Sequence, residues 1–307
     1  MRIIFMGTPE FAVPSLKILV ENNCNVVAVI TAPDKPAGRG KKILTSAVKD
    51  FALEHSIPIL QPPKLKNKAF LEELKSYQAD LQVVVAFRML PELVWNMPPM
   101  GTINLHAALL PKYRGAAPIN WAIINGETET GISTFFLRHK IDTGNIIFQE
   151  KEAILPEDNV GTLYERLMHK GAKLVLKTVK AIEKGAYPEQ AQDLNLDMPA
   201  APKIFREHCE INWKKTSIEI HNFVRGLSPY PAAWIILKEK SCKIYQTSLD
   251  VSKLSEKREA IGIGKYLTDN KSYLYFKTAD GWIAIEELQL QGKKRMNIQA
   301  FLAGNKL

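Results

Sequence analysis

The chain has 307 residues, 46% of them hydrophobic and 24% charged, with a formal net charge of +9. That length suits two domains rather than one core, and the composition excludes a largely disordered chain. No apolar run reaches the roughly 18 residues of a membrane-spanning helix, and the apolar start, Met1 to Gly7, is too short for a signal peptide, so a cytoplasmic location is expected. The three cysteines, Cys24, Cys209 and Cys242, are far apart and fit reduced thiols. With no Cys-x-x-Cys and no i,i+4 histidine pair, no metal site is expected.

In chain order, Ile3–Met6, Val26–Thr31, Leu81–Phe87 and Thr102–Leu105 are short apolar runs rich in Val and Ile, the pattern of strands covered on both faces of a parallel sheet. Helices are predicted between them: one starting near Pro14, one near Thr45, one over Ala69–Tyr77. This alternation predicts an α/β domain with a Rossmann-like open sheet over residues 1–187. Its first strand–helix turn, Gly7-Thr8-Pro9-Glu10, has one glycine, and Pro9 removes an amide that a pyrophosphate would want, which disfavours a dinucleotide site. The longest helical pattern covers 158–184, with an apolar stripe from Leu163 to Ile182 and a stop at Gly185. Residues 188–203, with Pro188, Pro199 and Pro202 among polar residues, have the composition of a linker.

The remainder, 204–307, changes character. Ser217–Val224 reads as a short helix, and Ala232–Leu237, Lys243–Leu249, Ser272–Lys277 and Trp282–Leu290 as antiparallel strands, which predicts a small β-barrel of oligonucleotide-binding type. Charge divides unevenly. Residues 1–203 hold 24 Lys and Arg against 21 Asp and Glu, whereas 204–307 hold 17 against 11. A basic domain beside a near-neutral one fits a polyanionic partner such as nucleic acid, or a surface that only aids solubility. The five tryptophans are mostly flanked by apolar residues and are expected in cores rather than under bases.

The chemistry is expected around Gly101-Thr102-Ile103-Asn104-Leu105-His106, which runs into Ala107-Ala108-Leu109-Leu110-Pro111. On a strand, Asn104 and His106 share a face opposite Leu105, and they stand where the strand gives way to a loop, the end at which open parallel sheets bind ligands. These residue types suit acyl transfer. An Asn amide can donate to an oxyanion without titrating, and an imidazole can donate or carry the proton that a leaving nitrogen needs. Asp142, at the tight turn Asp142-Thr143-Gly144, is the carboxylate that could orient the imidazole. Spacing alone leaves a second reading open, in which Asn104 and His106 satisfy loop backbone and Asp142 only makes a turn.

Asn-x-His followed by Leu-Leu-Pro, then Arg114-Gly115-Ala116-Ala117-Pro118, then Asp-Thr-Gly, resembles the folate-dependent formyltransferases. Phe5 to Ala12, Pro33 to Lys42 and Arg225 to Trp234 are similar to the branch that acts on methionyl-tRNA. The resemblance covers nearly the whole chain. It implies a catalytic triad of Asn104, His106 and Asp142, and a folate-binding loop at Ala108, Leu109, Leu110 and Pro111. Phe87 and Arg88 would lie next to the pterin, and the loop bearing Arg39, Lys41 and Lys42 would lie against the tRNA acceptor end. Two departures stand out: Ala108 where the family commonly has Ser, and Phe87-Arg88 where it commonly has Tyr-Gly. The implied co-substrate is 10-formyltetrahydrofolate, without a metal, and the implied partner is initiator methionyl-tRNA. The alternative acceptor is a small amine such as an amino sugar or nucleotide. A monomer is expected.

Overall fold

The computed structural model describes residues 1–37, 42–254 and 261–307. In chain order the elements are β1 (Arg2–Gly7), α1 (Val13–Glu21), β2 (Asn25–Ile30), β3 (Lys35–Ala37), β4 (Lys42–Leu44), α2 (Ala47–Glu54), β5 (Ile59–Leu60), α3 (Lys68–Ser76), β6 (Leu81–Val85), α4 (Glu92–Trp95), β7 (Thr102–His106), α5 (Pro118–Ile124), β8 (Glu129–Phe136), β9 (Ile146–Ala153) and α6 (Val160–Glu183). They continue with α7 (Ser217–Leu227), β10 (Ala233–Leu237), β11 (Lys240–Ser248), β12 (Tyr266–Thr268), β13 (Leu274–Lys277), β14 (Trp282–Leu290), β15 (Met296–Asn297) and α8 (Ile298–Ala303). The chain forms two compact units: residues 1–115, 130–152 and 164–200 in the first, and 116–129, 153–163 and 201–307 in the second.

The first unit is built on a seven-stranded sheet of order β5-β2-β1-β6-β7-β8-β9. The pairs from β5 to β7 are parallel, and β8 joins β7 antiparallel. Ile3, Ile4, Phe5 and Met6 of β1 and all five residues of β6 are buried, because both faces of a central parallel strand are covered. The helices start where the sequence offers a cap. Pro14 sits in the first turn of α1, Ser46 Oγ accepts from Lys49 N at 3.1 Å, and Asn67 Oδ1 accepts from Phe70 N at 3.2 Å. The predicted long helix is α6, and Gly185 ends it in the left-handed conformation, φ +63°. A Cβ on Gly171 of α6 would lie 2.6 Å from Leu105 Cδ2, so the helix lies close on the face of β7 that Leu105 occupies. Asn104 and His106 therefore point to the other face. β3 and β4 form a separate two-stranded antiparallel pair.

The second unit is a curled antiparallel sheet of order β10-β11-β14-β13-β12, with β15 also on β14. Its core includes Ile220, Val224, Ile244, Phe276, Ile283 and Phe301. The helix read at 217–224 is α7, which begins with a reciprocal cap between Thr216 and Glu219. α5 belongs to this unit and lies directly on α7: Asn120 Nδ2 donates to Gly226 O at 2.8 Å, and a Cβ on Gly226 would lie 2.6 Å from Ile124 Cγ1. The tryptophans are half-buried, and Trp213 stacks on Phe276 with ring centroids 4.3 Å apart. No helix among the described residues is long and apolar enough to cross a membrane.

Candidate active site

The site is assembled at the carboxyl end of β7, within the first unit. His106 is buried, and its Nε2 lies 2.8 Å from the main-chain oxygen of Tyr113. A carbonyl only accepts, so Nε2 carries a hydrogen and donates it. That leaves Nδ1 without a hydrogen in the neutral ring. Nδ1 lies 3.8 Å from Asp142 Oδ2, close enough for an ion pair when the ring is protonated but too long for a direct hydrogen bond. Oδ2 itself accepts from Gly115 N at 2.9 Å. The half-buried amide of Asn104 makes no hydrogen bond among the described residues, so both of its N–H donors are uncommitted beside the fixed imidazole.

Local backbone explains how Asp142 is aimed. It adopts a left-handed conformation, φ +54°, a region costly for a residue with a Cβ and best tolerated by Asn and Asp. Gly144 follows against the Phe136 main chain, where no side chain would fit. Tyr113, whose carbonyl holds His106, is likewise left-handed at φ +58°, and its N–H donates to Pro199 O at 2.6 Å.

The expected folate loop is held from below by two residues that the sequence did not single out. Ser133 Oγ donates to Ala108 O at 2.6 Å and accepts from Leu110 N at 3.1 Å. Gln149 Nε2 donates to Leu110 O at 2.9 Å and to Ser133 Oγ at 2.8 Å. Leu109 packs over Gly131, where a Cβ would lie 2.6 Å from its Cδ2, and the Leu110–Pro111 peptide is cis. No local pattern marks Ser133 or Gln149, since each acts on a loop 23 to 39 residues away in sequence.

Phe87 packs against the core beneath β1 and β6. Arg88 turns back on the chain: its guanidinium donates to the main-chain oxygens of Pro63, at 3.1 Å, and of Pro62, and lies 5.6 Å from the Phe87 ring centroid. Arg39 and Lys41 lie outside the described residues; Lys42 begins β4, and its side chain also lies outside them. At the base of this hairpin, Lys49 Nζ lies 2.5 Å from Asp34, whose carboxyl is held below its ordinary range by hydrogen bonds from Lys49 and Gln61. In the second unit, two of the cations in the basic 204–307 stretch are committed locally. Lys215 pairs with Glu219 at 2.8 Å, and Arg295 pairs with Glu287 over the ring of Tyr245.

Two families match: formyl transferase over residues 1–179, and formyl transferase, C-terminal domain, over 203–306. Among full-length relatives, the methionyl-tRNA formyltransferase of Bacteroides fragilis is 50% identical over 99% of this chain and 95% of its own. That of Parabacteroides distasonis is 53% identical over 100% and 96%. Among solved structures, WlaRD, a sugar 3N-formyl transferase studied with dTDP and 5-N-formyl-THF, is 25% identical with a TM-score of 0.67, covering 96% of this chain and 99% of that one. The N-formyltransferase of Helicobacter canadensis, 23% identical with a TM-score of 0.65 over 92% and 98%, shares the fold.

Proposed function

Because the chain belongs to the formyl transferase family, we propose that it moves a formyl group from 10-formyltetrahydrofolate to the α-amino group of initiator methionyl-tRNA. One observation carries the chemistry: an uncommitted amide at Asn104 stands on the same face of β7 as an imidazole whose Nε2 is fixed on Tyr113 O. In this reading the neutral amine attacks the formyl carbon, and the oxygen is stabilised as it becomes an anion by Asn104 and, when Nδ1 also carries a hydrogen, by His106. Removing one such donor costs about 3–4 kcal/mol, a factor of hundreds in rate. Asp142 orients His106 and relays the proton, through water, from the attacking amine to N10 as the carbon–N10 bond breaks.

Ala108 to Pro111, with Phe87 and Arg88, form the folate-binding wall in this reading. Residues 1–187 are its catalytic domain, 188–203 its linker and 204–307 its tRNA-binding domain. Arg39, Lys41 and Lys42, with basic residues of 204–307, meet phosphates of the acceptor. Full-length similarity of about half the residues to methionyl-tRNA formyltransferases supports a tRNA acceptor over the amino sugar suggested by the 25% identical structure. The enzyme is taken as a cytoplasmic monomer; light scattering that gave twice 34.6 kDa would correct that part. The deciding experiment is formyl transfer to charged initiator tRNA, with free methionine in parallel. Transfer to the tRNA alone is expected, and transfer to neither would move the acceptor to a small amine.

A further inference from the structure

Gln192 lies beyond α6 in the proline-bearing stretch, outside any helix or strand, yet its side chain is fully committed. Nε2 donates to Asp142 O at 2.9 Å and to Gly144 O at 2.8 Å. Oε1 accepts from Arg114 Nε at 3.1 Å and from Arg114 Nη2 at 2.7 Å. Carbonyls only accept and a guanidinium only donates, so these four partners fix which end of the amide is which. The next residue after Arg114 is Gly115, whose N–H donates to Asp142 Oδ2 at 2.9 Å.

The contacts close a ring. The main chain at Asp142 is held by Gln192, Gln192 by Arg114, and the peptide after Arg114 holds the Asp142 carboxylate. Gln192 is itself registered along the chain on both sides. Gln190 exchanges main-chain hydrogen bonds with Ile146, at 2.8 and 2.9 Å, and Pro199 O accepts from Tyr113 N. Asp142 needs such support, because a left-handed conformation at a residue with a Cβ costs about 1–3 kcal/mol and persists only when its surroundings impose it.

We propose that Gln192 is a positioning residue for formyl transfer. With Arg114 it fixes the Asp142 turn so that the carboxylate stays beside Nδ1 of His106. The proposal rests on the reading that Asp142 serves His106. Only a residue that donates at one end and accepts at the other fills this place. Glu has the same size and keeps the Arg114 pair, but it sets a carboxylate oxygen against two carbonyls.

The test is a kinetic cycle on the full-length enzyme with 10-formyltetrahydrofolate and charged initiator tRNA, using Gln192→Ala, Gln192→Glu, Asp142→Ala and the Gln192→Ala/Asp142→Ala pair. Both Gln192 variants are expected to lose at least about tenfold in kcat, since sub-ångström to ångström misplacement costs one to two orders of magnitude. KM for each substrate should stay within about twofold. In the Asp142→Ala background, Gln192→Ala should cost nothing further. Equal losses in both backgrounds, or a wild-type kcat for Gln192→Glu, would overturn the proposal while leaving the site reading intact. A wild-type rate for Asp142→Ala would overturn both. Should Gln192→Ala fold poorly by thermal melt, Gln192→Glu and Arg114→Ala carry the same comparison.

Discussion

Gly144 stands in direct contact with the Phe136 main chain: a Cβ placed on it would lie 1.5 Å from the Phe136 carbonyl oxygen. The glycine is required by space at this point, two residues after Asp142. Gly144→Ala must push the Asp142 turn away from β8. It is expected to cost about 1–3 kcal/mol in stability, as overpacking does, and about 100-fold in kcat through displacement of the carboxylate. A thermal melt and steady-state kinetics together check this, and an unaltered kcat would separate the turn from catalysis.

Asn104 offers N–H donors, and the chemistry assigned to it needs a donor. Asn104→Asp keeps the shape but replaces the amide with an acceptor. It should lose as much as Asn104→Ala, about 10²–10³-fold in kcat/KM, and His106→Ala should fall in the same range. Substitution of a residue that merely fills space would instead leave Asn104→Asp near wild type.

Acid stability should reveal the cap of α7. Lys215, by its hydrogen bond, and then the Thr216 main chain and hydroxyl hold the Glu219 carboxyl at about 2, below an ordinary value of 4.5. A carboxyl lowered in the folded state stabilises above its unfolded value, and that contribution disappears as pH falls from about 4.5 through about 2. The group is exposed, so the effect is small and falls with salt. Glu219→Gln should melt below wild type at pH 6, and the gap should close by pH 2. A gap constant across that window would contradict the assignment.

The three thiols should differ in reach. Burial raises all three thiols above their ordinary value, Cys242 to about 12, but Cys209 and Cys242 are buried whereas Cys24 is half-buried and the more accessible. Thiolate is the reacting form. A thiol-disulfide reagent at pH 8 should therefore modify Cys24 alone in the native enzyme and all three cysteines after unfolding, as peptide mass mapping would show.

Arg39, Lys41 and Lys42 are assigned to phosphates of the acceptor. Replacing all three with Ala should weaken tRNA binding and flatten its salt dependence, by about one in the log–log slope for each phosphate contact removed. Binding measured from 50 to 200 mM salt decides this. A slope equal to wild type would place the acceptor elsewhere.

The parts of this fold that the sequence made plain are those buried on both faces. β1, β2 and β6 are near-continuous apolar runs, β7 is marked by Ile103 and Leu105 between polar residues, and the long stripe of α6 has a helical period throughout. β8, also buried on both faces, escaped notice because it carries Thr130, Ser133 and Thr134; the Ser133 and Thr134 hydroxyls find partners in Ala108 O and Thr178. Those partners are distant in sequence and cannot be read from a local pattern. Asn104, His106 and Asp142 could be named because motif and resemblance mark them. The residues that hold the Asp142 turn and the neighbouring Ala108 to Leu110 loop could not. Gln192 lies 50 residues from Asp142 among prolines and polar residues, and Ser133 and Gln149 look like ordinary strand residues. Arg88, expected next to the pterin, donates to the Pro62 and Pro63 carbonyls, which come from a loop with no signature.

The pairing of α5 with α7 bears on how the protein is made. α5 ends at Ile124 and its partner ends at Leu227, about a hundred residues later. Ribosomes add roughly 5–20 residues per second, so a nascent α5 waits on the order of 5–20 s before α7 exists to cover it. Orderly folding from the first residue to the last is therefore unavailable to this chain. Its second unit begins with a helix made in the first half and is completed only when the final third emerges, and until then the apolar side chains of α5 lack the α7 surface they pack on.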